Sequence, residues 1–208
     1  MPPADAILAG LTNVANQWRA LAIGWHVVSG ALMLALLAGW RPSNRVAAGS
    51  LTLPLLSVSG MAWASGNPFN GTTFATLALL LAATATRLST ARVGVAPPPL
   101  VAAGVLLVAF GWTYPHFLET DRWTTYLYAA PFGLVPCPTL SLLIGVALIF
   151  NLFGSALWSA LLALSGMAYG VVGVFRLGVT LDAALLAGAV ILGARCLSLT
   201  FETSTRGR

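Results

Sequence analysis

One stretch of the chain concentrates residues that could do chemistry. Ala130 to Thr139 reads Ala-Pro-Phe-Gly-Leu-Val-Pro-Cys-Pro-Thr and holds Cys137 between two prolines. Three prolines and a glycine within eight positions cannot form a regular helix, because each proline removes a backbone donor and crowds the preceding turn. The spacing predicts an unwound start to a helix, with Pro131, Gly133, Pro136 and Pro138 making the structural break. Non-helical backbone at membrane depth requires cover from protein or a wet cavity. A thiolate beside imidazoles and a carboxylate suits a thiophilic transition metal. The residues that could join Cys137 as metal ligands are His26, His116 and Asp182, gathered round a small polar cavity.

Each of these residues also has a plainer reading. A buried cysteine behaves as a small hydrophobe. His26 could serve only as a hydrogen-bonding residue between helices. His116, with Glu119 and Asp121, could belong to an ordinary wet loop, and Asp182 could simply approach Arg176 or the interface. No Cys-x-x-Cys or His-Glu-x-x-His pair occurs among them. No nucleophile-and-base arrangement can be read, so no catalytic or cofactor-binding residue is assigned and the chain is not expected to be an enzyme. Asn70-Gly71-Thr72 matches a glycosylation pattern that is common by chance.

The elements that must position these residues are membrane spans. The chain has 208 residues, 58% hydrophobic and only 7% charged, against roughly 25% charged in a soluble domain. That balance excludes a soluble globular domain and a disordered chain. All ten basic residues are arginine, thinly spread, which argues against nucleic acid as a partner. Without lysine there can be no Walker A loop and no pyridoxal or retinal Schiff base. Apolar stretches near the ~20 residues a crossing needs recur at Leu21–Trp40, Val46–Ala64, Phe69–Thr86, Leu100–Tyr114, Pro131–Phe150, Ala156–Phe175 and Val179–Ala194. The fourth gains length if Pro98 and Pro99 begin its first turn. The fold class expected is therefore all-α, a polytopic transmembrane bundle of about seven spans.

Orientation follows from the arginines. Seven of the ten (41, 45, 87, 92, 195, 206 and 208) fall on one side and three (19, 122 and 176) on the other. The positive-inside rule then puts the C-terminus in the cytoplasm and the N-terminus outside. His26, Tyr114, His116, Cys137 and Asp182 collect at the outer side. Three parts are expected: an interfacial helix within residues 1–18, the bundle over 19–195 and a cytoplasmic tail over 196–208. Ile7, Leu8, Leu11, Val14, Ala15 and Trp18 recur at helical spacing, which suits the first of these. With Asp5 and no basic residue before Arg19, the start does not read as a secretory signal. Gly166, Gly170 and Gly173 mark a close helix contact. Trp123 to Phe132, with Trp40, Trp63 and Trp112, reads as interfacial aromatic anchors.

On Phe132-Gly133-Leu134-Val135-Pro136-Cys137-Pro138-Thr139 the chain resembles a bacterial family of small multi-pass membrane proteins, the domain of unknown function 6064. Tyr114-Pro115, Leu157-Trp158-Ser159-Ala160 through Gly170, and Gly178 through Asp182 to Gly188 are similar as well. The resemblance spans about Trp18 to Ala194 and implies a multi-pass fold in the bacterial inner membrane, with no activity attached. Two function classes stay open. One is a permease or binding protein for a small solute or soft transition metal, working through the break. The other is a non-catalytic subunit or assembly factor of a larger membrane complex, partnered by the lipid bilayer and other membrane subunits.

Overall fold

The structure is a computed structural model that describes residues 3–206, with side chains described for 3–199. Arg208 and the side chain of Arg206, both counted in the arginine split, lie outside the described residues. The described chain is all helix: α1 (Ala4–Gln17), α2 (Arg19–Leu37), α3 (Asn44–Ser50), α4 (Thr52–Ala64), α5 (Pro68–Ala85), α6 (Pro98–Thr113), α7 (Tyr126–Ala129), α8 (Pro136–Ile149), α9 (Ala156–Val171) and α10 (Asp182–Arg206). Helices α5, α6 and α8 each open on proline, whose missing donor costs nothing in a first turn. Ser43 and Ser155 cap α3 and α9 by accepting the Val46 and Trp158 amides. The apolar stretch 46–64 is divided at Leu51 into α3 and α4. Pro54, in the first turn of α4, has no N–H to offer the Ser50 carbonyl.

Four helical runs are long and apolar enough to cross a bilayer: Arg19–Leu37, Asn44–Ala64, Ala156–Arg176 and Asp182–Leu199. Helices α6 and α8 are apolar but shorter. Large apolar side chains such as Val27, Leu34, Leu37, Leu106 and Phe175 are exposed on the bundle surface, as lipid-facing residues are.

Helix α8 is the axis of the bundle. Every residue from Ala129 to Gly145 is buried. It touches α6 backbone to backbone: a Cβ on Gly104 would lie 2.6 Å from the Gly145 carbonyl oxygen, and one on Gly145 would lie 2.6 Å from that of Gly104. Gly166 lets α9 close on Ile144 of α8 and Ala189 of α10, and Gly170 lets it close on Leu186. The α8–α9 connection is a run of left-handed residues, Asn151, Leu152, Phe153 and Gly154, with φ of 47°, 61°, 51° and 68°. This conformation costs roughly 1–2 kcal/mol for each residue bearing a Cβ. Burial of Leu152 and Phe153, the latter edge-on to Trp158 at 5.1 Å, offsets that cost.

The bundle has two unlike ends. At one, the connections after α2 and α5 are stitched together: Asn44 donates its amide to Ala91 O, Val93 to Pro42 O, and Arg45 its guanidinium to Leu88 O. At the other, α1 is pinned to the α6–α7 connection through Asn16, which donates to Phe117 O and accepts the Glu119 amide, both at 3.0 Å.

Candidate functional site

The end that carries α1 also encloses a carboxylate. Asp182 is the first residue of α10 and is buried. A carboxylate suits a helix N-terminus, where the aligned peptide dipoles present positive potential. Its chain direction is set upstream by a π-helical turn over Val172–Arg176 and by Gly178, whose φ is +69°. Within that turn Gly173 lies flat against the Asp182 carboxylate, and any Cβ there would collide with Oδ2.

A phenol and a thiol come up to this carboxylate. The fully buried Tyr114 donates its phenol hydrogen to Oδ1 at 2.6 Å. Tyr114 stands immediately past α6, where Pro115 ends the helix and turns the ring back beneath the connection. The Cys137 thiol, from the first turn of α8, lies beside the same carboxylate. His116 is half-buried in the connection, with its ring edge-on to that of Tyr114 at 6.4 Å. Its ring packs 4.3 Å from that of Phe117. Four segments thus meet at one acid: the end of α6, the start of α8, the turn after α9 and α10 itself.

The unwound segment expected over Pro131–Pro138 runs from Ala130 to Val135, and α8 starts at Pro136. Gly133 turns the chain at φ +76° with its Cα against the Trp25 indole, where a Cβ would overlap the ring. Its amide donates to Thr139 Oγ1 at 2.9 Å, and that hydroxyl donates to Val135 O at 2.7 Å. Trp25 in turn donates to Ser57 Oγ, tying the break to α4. The cover that such backbone needs is supplied by protein.

His26 is not part of this contact. Its two ring nitrogens lie 2.8 Å from Ala22 O and 2.9 Å from Trp112 O, so the ring closes one of the last carbonyls of α6. Trp112 also stacks edge-on to it at 4.7 Å. Of the four residues expected as ligands, Cys137 and Asp182 lie side by side, His116 stands near, and His26 serves a helix end. Among the described residues, no three His, Cys, Asp or Glu side chains are grouped so as to hold a metal ion. Asn70, the residue of the glycosylation pattern, is buried in α5 and accepts from the Tyr169 hydroxyl at 2.9 Å.

Sequence reasoning did not assign Tyr114 to the site and saw Gly173 only as a packing residue. The sole signal for Tyr114 was its place before Pro115 at a span end. For Gly173 nothing in the spacing pointed to a carboxylate as its neighbour. No family model, curated protein or solved structure matches the chain.

Proposed function

We propose that the chain is a multi-pass carrier of the bacterial inner membrane for a small solute or soft cation, with Asp182 and Cys137 as its binding pair. The observation that carries this is the buried carboxylate whose described side-chain hydrogen bond comes from a phenol, with a thiol beside it. An ionised carboxylate accepts and cannot donate, so a cation or a donor group of a solute can take the place of either neighbour. Ionisable groups at membrane depth mark solute and ion pathways by default, because each costs ~2.5–3.5 kcal/mol at mid-bilayer if unsupported. In this arrangement the membrane is crossed by α2, α3 with α4, α5, α6, α8, α9 and α10, with the N-terminus outside. No bond-making step is assigned to any residue.

A subunit role is favoured by a different observation. Helix α2 is little embedded in the bundle, with Val27, Leu34 and Leu37 at 66%, 68% and 84% exposure, so one side of the protein is free for another membrane chain. Purification in mild detergent, with elemental analysis and mass spectrometry of what accompanies the protein, separates the two. A stoichiometric metal or small solute that is lost in both Asp182→Asn and Cys137→Ser supports the carrier. A stoichiometric protein partner, with no such solute in the wild type, replaces the carrier by the subunit.

A further inference from the structure

The opposite end of the bundle holds a cavity of about 460 Å³, where the end of α5, the start of α3 and the left-handed turn before α9 meet. Its polar wall is made by Arg87, Asn44, Ser89, Ser155 and Thr84, and the exposed Leu157 forms its rim. What these groups have left to offer decides what the cavity can hold. Ser89 Oγ accepts from the Ala91 amide and from Asn44 Nδ2, and Ser155 Oγ accepts from the Trp158 amide. Among the described residues neither hydroxyl donates to anything, so each keeps its hydrogen available. The Arg87 guanidinium likewise donates to no described group. By contrast, Arg41 and Arg45 are committed to the carbonyls of Leu36, Trp40 and Leu88.

Among the described residues, no carboxylate lines this wall. The chain has no Asp or Glu between Asp5 and Glu119, so the stitched connections that carry Arg41, Arg45, Arg87 and Arg92 are purely cationic. A guanidinium and two free hydroxyls, with no acceptor charge, form the complement of a phosphate. The position sharpens this. Leu157 and Val46 are 61% and 54% exposed beside the cavity and the arginines, so an apolar surface for acyl chains adjoins the cationic pocket. Basic pockets between helices at one face of a bundle are how membrane proteins hold anionic headgroups.

We propose that this cavity binds the phosphate headgroup of an anionic phospholipid, with Arg87 as its cation and Ser89 and Ser155 as hydroxyl donors. The site is independent of the carrier reading and lies at the other end of the molecule. Purified full-length protein in mild detergent is titrated with fluorescent phosphatidylglycerol, and separately with phosphatidylcholine of the same acyl chains. The wild type binds the first and not the second. Arg87→Gln weakens binding roughly fivefold or more, the scale set by one arginine near a lipid surface. Arg92→Gln, which removes the same charge from the same connection but lies outside the cavity, weakens it by less than about twofold. Arg87→Lys recovers a large part of the loss, and inorganic phosphate or glycerol phosphate does not compete. Equal losses in Arg87→Gln and Arg92→Gln, or no loss in either, overturn the pocket in favour of diffuse surface charge. Full competition by inorganic phosphate overturns the lipid in favour of a free anion. Should Arg87→Gln fail to fold, Ser89→Ala gives the same reading through a single hydroxyl, with a loss expected and none overturning the site.

Discussion

The two ends of this bundle handle charge in opposite ways. At one end a single carboxylate is enclosed by separate segments: Tyr114 after α6 donates to it, Cys137 of α8 lies beside it, and Gly173 after α9 is pressed flat against it. At the other, four arginines stand on two stitched connections with no carboxylate among them, and two of the four have no described acceptor. The difference follows from where each charge sits. A group removed from water must be satisfied by the fold, so its neighbours become fixed parts of the structure. A charge at the surface is satisfied by water and is free to be traded for a ligand. Substitutions at the acid end should therefore act on stability as well as on the proposed solute binding, and those at the arginine end on binding with little change in stability.

The largest effect is expected at Gly173. A Val side chain there has nowhere to go but into the Asp182 carboxylate, so Gly173→Val should destabilise by ~3 kcal/mol, at the top of the overpacking range. Unfolding in mixed micelles with increasing denaturing detergent measures this. A variant as stable as wild type would mean that the turn after α9 does not press on Asp182, and the contrast between the ends would lose its main support.

Tyr114→Phe comes next. It keeps the ring and its packing against Phe110 and Phe117 but removes the hydrogen that Oδ1 accepts. Hydrogen bonds to charged groups contribute roughly 1.5–3 kcal/mol. A loss of ~2 kcal/mol in the same assay is expected, together with faster reaction of Cys137 with a small thiol reagent as the cluster loosens. If the thiol reacts no faster, Tyr114 and Cys137 do not share one carboxylate.

What the sequence disclosed, and what it withheld, divides along the same physical line. Helix positions were legible where proline at a helix start and long apolar runs are local signals: Pro98 does begin a helix and residues 130–135 do unwind. Pro136 and Pro138, read as part of the break, instead stand in the first turn of α8, where a missing donor costs nothing. The meeting of Cys137 with Asp182 was foreshadowed, since both fall near the same end once the arginines orient the chain. Partnerships that depend on how helices rotate about their axes left no trace. Gly104 and Gly145 are two of 21 glycines, and nothing in their spacing tells that each carbonyl faces the other. His26 turns to a carbonyl of α6 rather than to Cys137 because helix ends need donors, a demand that shows only after α6 is docked. The left-handed turn was hidden for another reason. Leu152 and Phe153 disfavour that conformation and adopt it because their side chains are buried.

That turn gives the third test, at the arginine end. Gly154 has φ +68° and open space around its missing Cβ, so Gly154→Ala meets no atom and suffers only the left-handed penalty, ~1 kcal/mol. It should therefore cost clearly less than Gly173→Val although both replace a glycine beside a helix end. A larger loss at Gly154 would show that the arginine end is as tightly determined as the acid end.

The smallest effect is the most telling about charge itself. Arg45, in the first turn of α3, and Arg87, just past α5, flank the stitched connections, and of the two only Arg45 ties them together, by donating to Leu88 O at 3.2 Å. Removing Arg45 breaks a partly buried hydrogen bond, for which ~1 kcal/mol is an upper expectation. Removing Arg87 breaks no described bond, and surface substitutions of that kind stay within about 0.5 kcal/mol. In detergent without anionic lipid, Arg87→Gln should thus melt with the wild type while Arg45→Gln melts slightly below it. Added anionic lipid should reverse the order of sensitivity, raising the melting temperature of Arg45→Gln by more than that of Arg87→Gln. The reversal is required if one arginine serves the fold and the other a headgroup, because a ligand stabilises only the form that can bind it. Parallel shifts in both variants would instead place the two arginines in one undivided cationic surface.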